Sequence, residues 1–210
     1  MNSAKAVQKW LNAPENDESR DPMFRCVRTL SCKIPPFGID PKLYPRFFGE
    51  YLHRFSSLTS LHLENAHFDE GTCQAIWDNQ QNIKVLTLMC CGFGTIDHFV
   101  TLVRKFPNLT HLRLSELRLI NNASPETSFP FPPSLKNLFA TKLFPEHKPL
   151  LDVIRQAEWD DVSISAGIES LVKPTQHVIG GLSGSVKCLD LQGDPASTYH
   201  DHPTILPWEH

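Results

Sequence analysis

Residue types that bind metal ions occur at two places in this chain of 210 residues. Cys90 and Cys91 are adjacent, and a pair of thiols could coordinate a metal ion or form a redox couple. Adjacent cysteines seldom share one metal, however, and a buried cysteine behaves as a small apolar residue, so we interpret this pair as structural. The Pro-rich C-terminal tail carries further ligand types, which we interpret as incidental clustering: His200, Asp201, His202, Glu209 and His210. The sequence therefore predicts no metal site.

Histidines and carboxylates also occur close together in the middle of the chain. A catalytic site would pair a histidine, acting as a general base, with a carboxylate that orients it. His62, His111 and Arg113 are the candidates, and Glu64 and Glu116 lie near them in sequence. Neither a nucleophile nor a Gly-rich phosphate-binding loop accompanies them. We therefore expect no catalytic residue and no cofactor, and we interpret the group as solvated residues that can contact a partner.

A repeated apolar unit, L-x-x-L-x-L, indicates the elements that position these residues. Clear copies begin at Leu58, Ile83, Leu109 and Val186, and the first three start 25 and 26 residues apart. That interval lies in the range of leucine-rich repeats. Weaker copies begin at positions 27, 135 and 159, so the pattern predicts about seven units. Apolar residues nine or ten positions after the start of a unit form a second, supporting column: Phe37, Phe68, Phe93, Leu119, Phe144 and Ile168.

Each unit is expected to form a strand, a turn and then a helical or irregular segment. Helical periodicity extends from Ile96 to Phe106 and from Leu150 to Ala157, whereas the prolines of residues 125–133 exclude a helix there. One unit cannot bury its own apolar face, so neighbouring units stack and bury it for each other. The sequence thus predicts an α/β leucine-rich-repeat solenoid, with a curved parallel sheet on the concave side and helices and irregular segments on the convex side.

Domain boundaries follow from the limits of the repeats. Residues 1–26 are expected to form an N-terminal capping helix and linker, residues 27–193 the repeat array, and residues 194–210 a partly disordered tail. The net charge of −3 and the lack of a Lys/Arg cluster argue against a nucleic-acid partner. No apolar stretch is long enough to span a membrane, and the N-terminus lacks the apolar region of a signal peptide. We expect a cytoplasmic or nuclear protein with reduced thiols and no membrane partner.

The segments that lead into the strands resemble the leucine-rich repeats of F-box proteins, notably FSSL at 55–58, FPNL at 106–109 and PSL at 133–135. The N-terminal segments 7–14 and 24–30 resemble the linker and first strand of F-box proteins of mushroom-forming fungi. The resemblance implies a substrate receptor of a ubiquitin ligase. No segment of these residues resembles the F-box itself, so a ubiquitin-ligase adaptor is expected as a partner only if an F-box lies upstream of Met1.

The function predicted from these patterns is non-enzymatic protein binding through the concave face. Side chains alternate along a strand, so the third, fifth and seventh positions of each unit point to that face. The fifth-position column is mostly polar, which indicates a solvent-exposed surface, and Phe139 beside Arg113 is the best anchor. The predicted contact residues are Thr29, Ser31, Ser60, His62, Glu64, Val85, Thr87, Met89, His111, Arg113, Ser115, Asn137, Phe139, Asp161, Ser163 and Asp190. The alternative is a free-standing repeat protein that regulates an enzyme, as an inhibitor or a GTPase activator.

Overall fold

The computed structural model describes residues 21–34, 52–76, 81–121, 131–141, 148–155, 157–166 and 188–193. Seven parallel strands form one sheet in the order β1-β2-β4-β6-β8-β9-β10. These strands are β1 (Thr29–Lys33), β2 (Ser60–Glu64), β4 (Val85–Met89), β6 (His111–Ser115), β8 (Asn137–Thr141), β9 (Asp161–Ala166) and β10 (Cys188–Gly193). The predicted α/β class and parallel sheet are therefore confirmed.

Equivalent positions of successive units lie side by side in the sheet. Leu61 pairs with Leu86, Leu86 with Leu112, Leu112 with Leu138 and Leu138 with Val162. No strand has slipped along its neighbour, because a slip of one residue would expose the leucines and bury the polar residues between them. The apolar spacing in the sequence thus fixes both the position and the register of these strands.

Short strands and helices connect the strands of the large sheet. The helices are α1 (Asp21–Cys26), α2 (Glu70–Ala75), α3 (Ile96–Arg104) and α4 (Lys148–Arg155), with a 3₁₀ helix at Leu52–Arg54. Asp69 and Thr95 cap α2 and α3, since their side chains accept hydrogen bonds from the Thr72 and His98 backbone N–H groups. The helices predicted near Ile96 and Leu150 are confirmed.

A second, three-stranded parallel sheet is formed by β3 (His67–Phe68), β5 (Gly92–Phe93) and β7 (Arg118–Leu119). It follows a turn that, in three of the units, holds one residue in the left-handed region. Asn65, Cys90 and Glu116 have φ angles of 60°, 53° and 51° and directly follow β2, β4 and β6. The turn separates the two sheets, and the backbone on either side pairs with the next unit, as in the hydrogen bond from Cys90 N–H to the Ser115 carbonyl.

The core lies between the large sheet and these connections. Phe68 and Phe93 stack with ring centroids 4.9 Å apart, and Phe99 meets Phe93 edge-on at 5.5 Å. The aromatic row continues through Phe131 to Trp159, whose indole N–H donates to the Ile154 carbonyl at 2.7 Å. The second apolar column predicted from the sequence is therefore confirmed at Phe68 and Phe93, whereas its members Phe37, Phe144 and Ile168 lie outside the described residues.

Candidate functional site

The other face of the large sheet carries the third, fifth and seventh residues of each unit, and we call it the open face. Its described side chains from β1 to β9 are exposed or half-buried, while the leucines between them are buried from β2 to β8 and Leu30 of β1 is half-buried. The predicted contact residues Thr29, Ser31, Ser60, His62, Glu64, Val85, Thr87, Met89, His111, Arg113, Ser115, Asn137, Phe139, Asp161 and Ser163 all lie on this face. Asp190 lies in β10, and its side chain is outside the described residues.

A depression of about 420 Å³ lies on the open face where β6, β8 and β9 adjoin. Leu112 and Leu138 line it together with six of the predicted residues, namely His111, Arg113, Asn137, Phe139, Asp161 and Ser163. Phe139 stands between Arg113 and Ser163 in the fifth-position column, and its side chain is 40% exposed. The structure therefore brings the predicted anchor pair, Phe139 and Arg113, into one depression.

His111 is oriented by its sequence neighbour. The Thr110 hydroxyl donates to the Lys84 carbonyl at 3.0 Å. The same hydroxyl oxygen is hydrogen-bonded to the His111 Nδ1 at 2.8 Å. This contact holds the ring at the edge of the depression.

Asn137 is held in a similar way beside His111. Its amide Nδ2 donates to the Thr110 carbonyl at 3.0 Å, which leaves the amide oxygen without a partner among the described residues. The Ser163 hydroxyl is shielded from solvent and also has no partner in the described part of the chain. The depression thus contains unused hydrogen-bonding capacity next to an exposed aromatic ring.

Opposite charges stand on the two sides of the depression. Arg113 lies on β6 and Asp161 on β9, both are exposed, and neither has an ion-pair partner among the described residues. Two strand spacings and two residues of strand rise separate their Cα atoms by about 12 Å. The surface therefore presents a cation and an aromatic ring side by side on β6 and β8, and an anion on β9 that is two residues away along the strand direction.

Elsewhere on the open face the seventh-position side chains bind one another. Lys33 forms an ion pair with Glu64, and the Thr141 hydroxyl donates to Ser115 at 2.8 Å. Lys33 and Thr141 were not among the predicted contact residues, although their seventh position in the unit was a signal that could have found them. Because these side chains satisfy each other, this edge offers less free polar capacity than the depression.

The histidine–carboxylate pairing that a catalytic site would need is not formed within the described residues. Glu64 pairs with Lys33, and Glu116 accepts from the Cys90 thiol at 3.2 Å, whereas the His111 ring contacts Thr110. In the described part of the chain no group of three His, Cys, Asp or Glu residues is placed to hold a metal ion. The tail histidines lie outside that part.

The adjacent cysteines differ in their surroundings. The Cys91 side chain is fully buried, its Sγ lies 3.4 Å from the Leu63 and Met89 carbonyl oxygens, and burial raises the pKa of this thiol to about 12. Cys90 is half-buried, and desolvation together with the Glu116 carboxylate raises the pKa of its thiol as well. Both thiols therefore stay protonated at neutral pH, which suits the structural interpretation.

Among the described helices none has both the length and the apolar character needed to cross a bilayer.

Comparisons of the chain with protein-family models, with curated proteins and with solved structures found no match.

Proposed function

We propose that this chain is a non-enzymatic protein-binding module built as a leucine-rich-repeat solenoid, and that its open face is the concave binding surface. The observation that carries the proposal is the depression around Phe139. An aromatic side chain that is 40% exposed stands there beside Arg113, which has no ion-pair partner in the described part of the chain. Aromatic and arginine side chains contribute most of the binding free energy in protein interfaces.

The repeated strand register supports the solenoid part of the proposal. Successive units pair in parallel with the same positions aligned, and each contacts mainly its neighbours in the sheet. Such an array displays a continuous, rigid surface that a protein partner can cover. The resemblance of residues 55–58 and 106–109 to the repeats of F-box proteins supports a role in recognising the substrate of a ubiquitin ligase.

A capture experiment with matched variants tests protein binding. The purified chain, the double variant Phe139→Ala with Arg113→Ala, and the control Ile120→Ala with Arg118→Ala are immobilised and exposed to extract of the source cells. The control removes an arginine and an apolar side chain that are also exposed, Ile120 at 70%, but that lie in or beside the small sheet.

We expect quantitative mass spectrometry to find proteins that the wild-type chain and the control retain and that the Phe139/Arg113 variant loses. A set of captured proteins unaffected by the Phe139/Arg113 variant would refute binding through the open face. The ubiquitin-ligase role has a separate test, which is the coding sequence upstream of Met1: an in-frame F-box supports it, and an upstream sequence without one favours the regulator of an enzyme.

A further inference from the structure

The depression on β6, β8 and β9 has a charge pattern that defines the chemistry of a partner. We propose that it binds an extended peptide segment with an acidic side chain, a large apolar side chain and a basic side chain at alternate positions. The acidic group pairs with Arg113, the apolar group covers Phe139, and the basic group pairs with Asp161. This inference rests on the proposed protein-binding function and specifies its partner.

The spacing of the depression matches an extended chain. Alternate side chains of an extended segment project from the same side, and positions i and i+4 are about 13–14 Å apart. The Cα atoms of Arg113 and Phe139 are about 4.8 Å apart, those of Phe139 and Asp161 about 8 Å on the diagonal, and those of Arg113 and Asp161 about 12 Å, so the two steps together nearly match the extended length. Residues i, i+2 and i+4 of the partner therefore meet Arg113, Phe139 and Asp161 in turn.

The free polar atoms of the depression favour an extended partner over a helix. An extended segment has unpaired backbone N–H and C=O groups, whereas those of a helix are bonded within the helix itself. The Asn137 amide oxygen has no partner among the described residues and can accept a backbone N–H. The Ser163 hydroxyl is shielded from solvent and has no hydrogen-bond partner among the described residues, so it is a further group that a bound backbone can satisfy.

Arg113 carries the positive charge on the β6 side of the depression, and His111 lies beside it. The His111 Nδ1 is held by the Thr110 hydroxyl, so the ring keeps its place beside Arg113 on the same strand. On the other side Asp161 carries the negative charge, since Glu158 before β9 is ion-paired with Lys136 at 3.4 Å. The surface is thus complementary to a segment with its acid and its base at opposite ends.

Selection from a random dodecapeptide phage library on the full chain tests the inference. We expect enriched sequences with Asp or Glu, a large apolar residue and Lys or Arg at i, i+2 and i+4, read in either chain direction. Fluorescence anisotropy with the synthetic peptide measures affinity, and Arg113→Glu is expected to weaken binding by about tenfold or more. The control Arg118→Glu changes an exposed arginine of the small sheet and is expected to leave affinity unchanged.

Charge exchange makes the test specific. A peptide in which Lys replaces the acidic residue is expected to bind the wild-type chain weakly. The same peptide is expected to bind the Arg113→Glu variant with most of the affinity of the original pair. A phosphoserine at the acidic position separates a carboxylate from a phosphate preference: tighter binding of the phosphopeptide would overturn the carboxylate assignment.

Failure of the inference is distinguishable from failure of the proposed function. Enriched peptides that lack the charge pattern, that carry it at helical spacing, or that bind Arg113→Glu undiminished would overturn the inference, as would a selection that enriches nothing. Protein capture that still depends on Phe139 and Arg113 would then leave the binding function intact. Loss of that dependence would refute the function itself.

Discussion

Cys90, the residue after β4, has a left-handed backbone conformation, and it gives a prediction about stability. Glycine is expected to be more stable than alanine at this position, which is the reverse of their order inside a helix. Cys90 has a φ of 53°, a conformation in which a Cβ atom costs about 1–2 kcal/mol and glycine costs nothing. Glycine loses about 0.5–1 kcal/mol more chain entropy on folding than alanine does. The balance makes Cys90→Gly more stable than Cys90→Ala by about 0.5–1 kcal/mol. Both variants lose the same contact with Glu116, so the comparison isolates the backbone.

Thr101 is the matched control, since it is exposed in the middle of α3, where the backbone is helical. There glycine is expected to be less stable than alanine by about 1 kcal/mol, the opposite order. Urea unfolding followed by circular dichroism measures both pairs, and 1 kcal/mol corresponds to a midpoint shift of about 0.3–0.5 M for a chain of this size. Equal or greater stability of Cys90→Ala would show that the turn is not held in the left-handed region.

The remaining predictions concern the core, a helix cap and the thiols. Phe93→Ala removes a fully buried ring from the aromatic stack and is expected to lower the free energy of unfolding by about 3–5 kcal/mol. Urea titration measures this change, and a loss below about 1 kcal/mol would contradict the packing. Asp69→Ala is expected to cost about 1 kcal/mol at neutral pH. Hydrogen bonding from the Thr72 N–H lowers the pKa of Asp69 below its ordinary 3.8. The stability that the Asp69 carboxylate contributes is therefore complete above pH 3.8 and is lost as the pH falls through the lowered pKa. A loss of stability in Asp69→Ala that stays constant from pH 7 to pH 2 would argue against the cap. Burial raises the pKa of Cys91 to about 12, so iodoacetamide at pH 8 is expected to modify the exposed Cys26 well before Cys91, and peptide mass spectrometry of the folded chain reads the order.

The strands could be predicted from the sequence because their signal is local. Leu61 and Leu63 alternate with polar residues within one unit, and the same pattern returns at Leu86 and Leu88. Burial of one face is enough to fix such a strand and its register. The three short strands of the small sheet were not predicted, since β3, β5 and β7 have two residues each and no alternation to detect.

The candidate site was predicted only in part, for a similar reason. Alternation placed Arg113 and Phe139 on the same face, and both lie there. Contacts between side chains of different units have no local pattern. The hydrogen bond from Asn137 to the Thr110 carbonyl in the site and the ion pair between Lys33 and Glu64 elsewhere on the open face are of this kind.

The sequence alone determined which residues are buried and which face solvent, because hydrophobic spacing acts within each unit and depends little on the rest of the chain. Only the tertiary structure decided which of the exposed residues act together. Stacking brings Arg113, Phe139 and Asp161, which are far apart in sequence, onto neighbouring strands. The charges of Arg113 and Asp161 stay without an ion-pair partner among the described residues, whereas those of Lys33 and Glu64 neutralise each other. Pairing of side chains depends on distances between units, which the spacing of leucines does not encode.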